Sequence, residues 1–134
     1  MILRLVVLFA LASVLLIAKQ QQPLPDCCES ESEKLSQLQV KALIHKTEPV
    51  HAPCCADMLH INGTIVLEIS VDSKGDVTCV QVVSGHPLIV GVAIDSVRRW
   101  KFQAYASDGI KKSFCGKVAL RFQANEHRVR YRAI

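Results

Sequence analysis

The sequence predicts a small α+β domain, built from antiparallel strands with helices laid against one sheet face. Three observations carry this. Residues 64–71 alternate cleanly, with Ile65, Leu67, Ile69 and Val71 on one side and Thr64, Glu68 and Ser70 on the other. The turn Asp72-Ser73-Lys74-Gly75-Asp76 then leads into a second strand-like run, 77–83, which predicts a hairpin. Finally, a helical stripe of Ile89, Ala93, Val97 and Trp100 separates that hairpin from a third alternating run, 114–122.

Taken from the N-terminus, residues 1–18 are apolar apart from Arg4 and Ser13 and end at a small residue, Ala18, before Lys19 and a run of glutamines. A basic residue, an apolar run and a small residue in that order form an export signal. The run lies near the lower length limit for crossing a bilayer, so a cleaved signal and an N-terminal anchor are both open. In both cases the remainder of the chain is exported.

Residues 19–46 are rich in Gln, Pro, Ser and Glu in their first half and read as a polar linker. Leu35, Leu38, Lys41, Ala42 and Ile44 hint at a short helix within it. The domain proper is expected over 47–124. Its prolines make 47–53 extended. A short helix over 54–61 follows, stopped by Asn62-Gly63 before the first strand. Asn62-Gly63-Thr64 also matches a glycosylation sequon, but its place ahead of a strand reads as turn chemistry.

Gly85-His86-Pro87 breaks the chain, and a helix is expected from there to about Trp100. Val90 and Ile94 lie off the main stripe, so this helix is apolar on a second side. Asp108-Gly109 marks a turn, and Val118, Leu120 and Phe122 alternate with Lys117, Ala119 and Arg121 in the third strand. Residues 125–134 form a basic tail that either extends the sheet or hangs free.

Charge is uneven. Residues 1–97 hold six Lys or Arg and ten Asp or Glu, whereas residues 98–134 hold ten and two. A basic end favours anionic partners such as lipid headgroups. The stretch SVRRWKFQA, residues 96–104, interleaves cations with aromatic rings as a single-strand nucleic-acid groove would. Trp100 lies on the buried stripe, however, so a helix closing in positive charge is the reading taken, with no nucleic-acid partner.

Six cysteines in an exported chain point to disulfides. Neighbours such as Cys27-Cys28 and Cys54-Cys55 do not readily bridge each other. A link from Cys27 or Cys28 to Cys54 or Cys55 would staple the tail to the domain. Cys79 and Cys115 face the same sheet side. If the first strand runs between theirs, they stand about 10 Å apart, too far to bridge each other. No C-x-x-C occurs and no histidine spacing completes a zinc pattern, so no metal and no cofactor is expected, although a cysteine-based metal or thiol protein remains the competing class. The five histidines are scattered, and no triad is readable, so the chain is not expected to be an enzyme.

From Pro53 to Phe122 the sequence resembles the C-terminal domain of TonB, a periplasmic energy transducer of Gram-negative bacteria. The likeness rests on INGTIVLEISVDSKGDVTCVQVVS, on AIDSVRRWKFQA with its Arg-Arg-Trp-x-Phe segment, and on VALRFQ. It departs at Ala52-Pro53, where the family often has Tyr-Pro. It departs again at Cys54, Cys55 and Met58, which replace arginines usual in the first helix. The apolar run also lacks the histidine that couples a true transducer to its motor. The polar spacer, about 30 residues, reaches at most ~100 Å.

The resemblance implies a three-stranded antiparallel sheet with two helices on one face and the closing strand at an edge. That edge accepts a short segment, the TonB box, from an outer-membrane receptor. It implies a non-enzymatic protein-binding module in TonB-dependent transmembrane transport, located in the periplasm and touching membrane only through its N-terminal segment. The matching edge residues here are Phe114, Cys115, Lys117, Val118, Ala119, Leu120, Arg121 and Phe122. An exposed edge offers unpaired N–H and C=O groups to an incoming strand, and Lys117 and Arg121 would attract acidic residues beside it. A homodimer paired through the same edge is the third reading.

Overall fold

A computed structural model describes residues 26–28, 31–50, 61–125 and 128–134. The expected 54–61 helix and the apolar N-terminal segment fall outside these residues, apart from Ile61, which precedes the first long strand.

The elements in chain order are β1 (Glu33–Lys34), α1 (Gln37–Ala42), β2 (Ile44–Lys46), β3 (Asn62–Val71), β4 (Val77–Ser84) and α2 (Pro87–Val97). They continue with β5 (Lys101–Phe102), β6 (Tyr105–Ser107), β7 (Ile110–Lys112), β8 (Phe114–Asn125) and β9 (Arg128–Ala133). The fold is α+β as predicted, but the main sheet has five strands rather than three. β4, β3 and β8 form its antiparallel centre, and both β1 and β9 pair with the outer side of β8. The extra strands fit because β8 runs for 12 residues, long enough to carry a partner at each end.

β3 begins two residues before the expected start, since Asn62 and Gly63 already stand opposite Gln123 and Phe122. The hairpin turn is closed by Asp72, whose Oδ1 accepts the main-chain N–H of Lys74 and of Asp76, each at 2.9 Å. Gly75 takes φ 94°, and a Cβ there would lie 2.0 Å from the carbonyl oxygen of Phe102. Its lack of a side chain is what lets β5 pass over the turn, where the Phe102 N–H donates to the Gly75 carbonyl.

Helix α2 is capped by His86, whose ring Nδ1 accepts from the Leu88 N–H, with Pro87 in the first turn. It ends at Val97, one turn before the expected end. The predicted stripe is buried: Ile89, Ala93 and Val97 pack under the sheet with Ile65, Leu67, Ile69, Val71, Val118, Leu120 and Phe122. Trp100 and Phe102 complete this core and are only 3% and 4% exposed. Asp108 and Gly109, both at positive φ, turn the β6–β7 hairpin.

The stretch read as a linker is structured from Glu33 onward. Ser36 and Gln39 form a reciprocal capping box at the start of α1. Leu35 just before the cap and Val40 at the fourth helical position are both buried in the core, in the pattern of a hydrophobic staple. β2 then pairs with β5, and the Gln103 N–H donates to the Leu43 carbonyl. The tail extends the sheet as β9, one of the two outcomes left open for it.

Candidate functional site

Register places Phe114, Val118, Leu120 and Phe122 on the core face of β8, opposite Val71, Leu67, Ile65 and Gly63. Cys115, Lys117, Ala119 and Arg121 alternate onto the far face, opposite Ser70, Glu68, Val66 and Thr64. Lys117 and Arg121 are exposed there, as a charged flank to a guest strand requires, whereas Cys115 and Ala119 are buried.

The edge itself differs from the expectation. The strand formed by Phe114, Cys115, Lys117, Val118, Ala119, Leu120, Arg121 and Phe122 lies inside the sheet. β1 runs parallel to it, with Glu33 opposite Phe114 and Lys34 opposite Cys115. β9 runs antiparallel, covering Leu120 to Asn125. The Leu35 N–H donates to the Cys115 carbonyl at 2.8 Å, and the Ile134 N–H to the Ala119 carbonyl at 2.9 Å. Main-chain groups alternate sides along a strand, so Cys115, Lys117 and Ala119 point outward. Lys117 is the outward position between the two covers that neither strand reaches. The physical reason for the correction is local: the segments before and after the matched domain each supply a strand to satisfy the same row of edge groups.

A cleft of about 280 Å³ opens at this interruption, lined by Cys28, Lys34, Leu35, Ser36, Gln37, Glu68, Cys115, Gly116 and Lys117. Gly116 forms its inner wall, and a Cβ there would stand 2.5 Å from Val40 Cγ2 and 2.8 Å from the Leu35 carbonyl oxygen. The Gln37 side-chain amide reaches across to the Ile134 carbonyl at 2.8 Å, tying α1 to the residue after β9. Glu33 also meets the β6–β7 hairpin: the Tyr105 hydroxyl donates to its Oε1 at 2.7 Å, and Lys112 Nζ stands 3.9 Å from Oε2. The hydrogen bond to Glu33 pushes the Tyr105 phenol above its ordinary value.

Two disulfides hold the start of this arm. Cys27 bridges to Cys79 and Cys28 to Cys115, with Cα atoms 5.5 Å apart in each. The expected pairing of Cys27 or Cys28 with Cys54 or Cys55 is replaced by these, and Cys54 and Cys55 lie outside the described residues. Cys79 and Cys115 are the two residues that flank Ser70 on neighbouring strands. They stand too far apart to bridge each other, and a vicinal pair laid across Ser70 reaches both. Each bridge joins one buried sulfur, Cys27 or Cys115, to a half-buried one. Four cysteines are thereby consumed as disulfides and are not thiolate ligands.

The cations of SVRRWKFQA do not make a groove. Arg98, Arg99 and Lys101 are exposed, while the rings between them are inside. The Trp100 indole donates to Ser96 Oγ at 3.2 Å and to the Glu48 carbonyl at 3.3 Å, so its polar edge is satisfied within the fold.

Two local signals in the sequence mark the covers. Leu35-Ser36-x-x-Gln39-Val40 is a capping box with its staple residues, a helix start that must be docked to be useful. The parity that put Cys79 and Cys115 on one face also marks where an adjacent cysteine pair would land.

Comparison with known proteins places the geometry in context. The family model described as the Gram-negative bacterial TonB protein C-terminal matches residues 53–124, more than half of the chain. Among solved structures, the solution structure of the Pseudomonas aeruginosa TonB C-terminal domain is similar in fold. It has a TM-score of 0.52 and 18% identity, over 63% of this chain and 88% of that one. No curated protein matches. β1, α1, β2 and β9 all lie outside the matched residues.

Proposed function

Because the chain belongs to the family of Gram-negative bacterial TonB C-terminal domains, we propose that it is an exported, non-enzymatic protein-binding module. In this role it takes an extended segment of an outer-membrane receptor as an added strand during TonB-dependent transport. The family consists of periplasmic transport-energy transducers, and two disulfides suit an oxidising compartment.

The observation that carries the reading is the outer side of β8. It already pairs with two short strands of the chain's own, one of them parallel, and Lys117 between them presents its main chain outward. At the interruption between them a peptide strand would gain affinity from the outward main chain and selectivity from Lys117 and Arg121. A cysteine metal protein is disfavoured by the four cysteines spent in bridges.

The test is a titration of labelled TonB-box peptides from outer-membrane receptors into the full chain, with disulfides closed and again after reduction. Saturable binding in either state, lost in Ala119→Pro with its outward N–H removed, is the expected result. No binding in either state, or binding that Ala119→Pro leaves untouched, would sink the reading.

A further inference from the structure

We propose that β1 is a built-in cover of the peptide-accepting side of β8, and that the vicinal Cys27-Cys28 pair is its latch. With both bridges closed the cover occupies the edge. With both opened, β1 and Leu35 leave it while α1 stays seated. The proposal rests on the strand-addition reading above and adds its regulation.

Apart from its latch the cover is held by few contacts, of which the burial of Leu35 at the margin of the core is the largest. β1 is two residues long. Its main-chain bonds to β8 include Glu33 N–H to the Ser113 carbonyl at 3.1 Å and Leu35 N–H to the Cys115 carbonyl. Glu33 adds one hydrogen bond and a long ion pair to half-exposed partners, which contribute little at a surface. A two-residue strand does not hold an edge against a competing peptide by itself. Closing chain segments separated by 52 and 87 residues in sequence is what keeps it there.

α1 is held differently. Val40 is fully buried against Gly116, and Leu43 and Ile44 pack on the same core. The arm therefore has a boundary at Ser36, where a latched strand gives way to a docked helix.

The Cys28–Cys115 bridge is reachable at its half-buried Cys28 end. Cys28 and Cys115 line the cleft beside Lys117, which opens to solvent at the interruption between the covers. The chemistry is thiol–disulfide exchange with an external dithiol. A thiolate of the dithiol attacks one sulfur of the Cys28–Cys115 bridge, forming a mixed disulfide and releasing the other cysteine as a thiolate. The dithiol's second thiolate then displaces the remaining cysteine and leaves as a cyclic disulfide. Two electrons and two protons pass to the protein per bridge, and a second dithiol does the same at Cys27–Cys79.

The experiment is amide hydrogen exchange by NMR on the full chain in three forms: oxidised, treated with dithiothreitol, and the Cys27→Ser/Cys28→Ser double variant. The expected result is that Glu33 and Leu35 exchange faster by at least about 30-fold in both opened forms. Val40 and Leu43, which donate to Ser36 and Gln39 carbonyls within α1, keep their protection. Unchanged exchange at Glu33 and Leu35 would overturn the latch. So would joint loss of protection across α1 and the β3–β8 ladder, since the bridges would then hold the whole fold.

A synthetic peptide copying residues 31–36 serves as a receptor-independent probe. It should bind the opened forms and not the oxidised chain; failure to bind an opened form would overturn the cover. If this peptide binds and receptor peptides do not, the latch stands and the transport reading falls.

Discussion

Val40 lies directly over Gly116, and the pair defines where the N-terminal arm meets the sheet. With no Cβ at 116, the helix carrying Val40 comes close enough for the Leu35 carbonyl to share the same hollow. A glycine inside a long strand normally weakens it. Here it is the seat on which residues outside the family-matched region join the core.

Gly116→Ala should therefore act on the arm rather than on the hairpin. The new methyl would meet Val40 and the Leu35 carbonyl, and overpacking of this kind costs about 1–3 kcal/mol. Denaturant unfolding should show the loss. Val40→Ala in the same background should recover part of it, because the removed methyls are the ones in the way.

How much of this was legible beforehand depends on which residues carried the information. The β3–β4 hairpin, α2 and β8 follow from period-2 and helical spacing within the elements themselves, and Trp100 was placed inside by its stripe alone. The covering of β8 was not legible in the same way. β1 is two residues with no alternation to read, and β9 is a strand only because Leu120 to Asn125 lies beside it. Cys27 and Cys28 required knowing that Cys79 and Cys115 flank one residue, Ser70, which is a property of the assembled sheet. Long-range pairing leaves no local period, whereas the capping box at Ser36 leaves a local signature in Ser36 and Gln39.

Ser96 is buried and joins two parts of the chain. Its hydroxyl donates to the Glu48 carbonyl at 2.6 Å and accepts from the Trp100 indole. Ser96→Ala should cost about 1–2 kcal/mol by leaving buried partners underused. The indole keeps its Glu48 acceptor, so Trp100 fluorescence should retain its buried character while the thermal midpoint falls.

The turn at Asp72 predicts an acid dependence. The main-chain N–H of Asp76 is the largest influence holding its carboxyl below the ordinary value; burial opposes it, and the N–H groups of Lys74 and Gly75 add to the lowering. A lowered folded value means the stabilisation is fully present above the unfolded carboxylate value, about 3.9. It is lost as pH falls through the folded value. Stability curves of the wild type and Asp72→Asn should stay separated at neutral pH and converge in acid.

Tyr105 predicts the opposite sense at high pH. Its folded value is raised, chiefly by the hydrogen bond to Glu33, so its contribution is present below about pH 10 and lost as pH rises through the folded value. Ultraviolet titration should show one late-ionising tyrosine. Glu33→Gln should bring it back toward the ordinary value.

The central claim is that this domain binds a receptor segment as a strand along the outer side of β8. The most direct measurement is NMR mapping of a receptor TonB-box peptide on the labelled full chain after reduction of both bridges. The account predicts amide shifts concentrated at Cys115, Lys117 and Ala119, with new cross-strand contacts from the peptide to those residues. Saturable binding whose shifts fall on β4, with the outward amides of β8 unmoved, would contradict it.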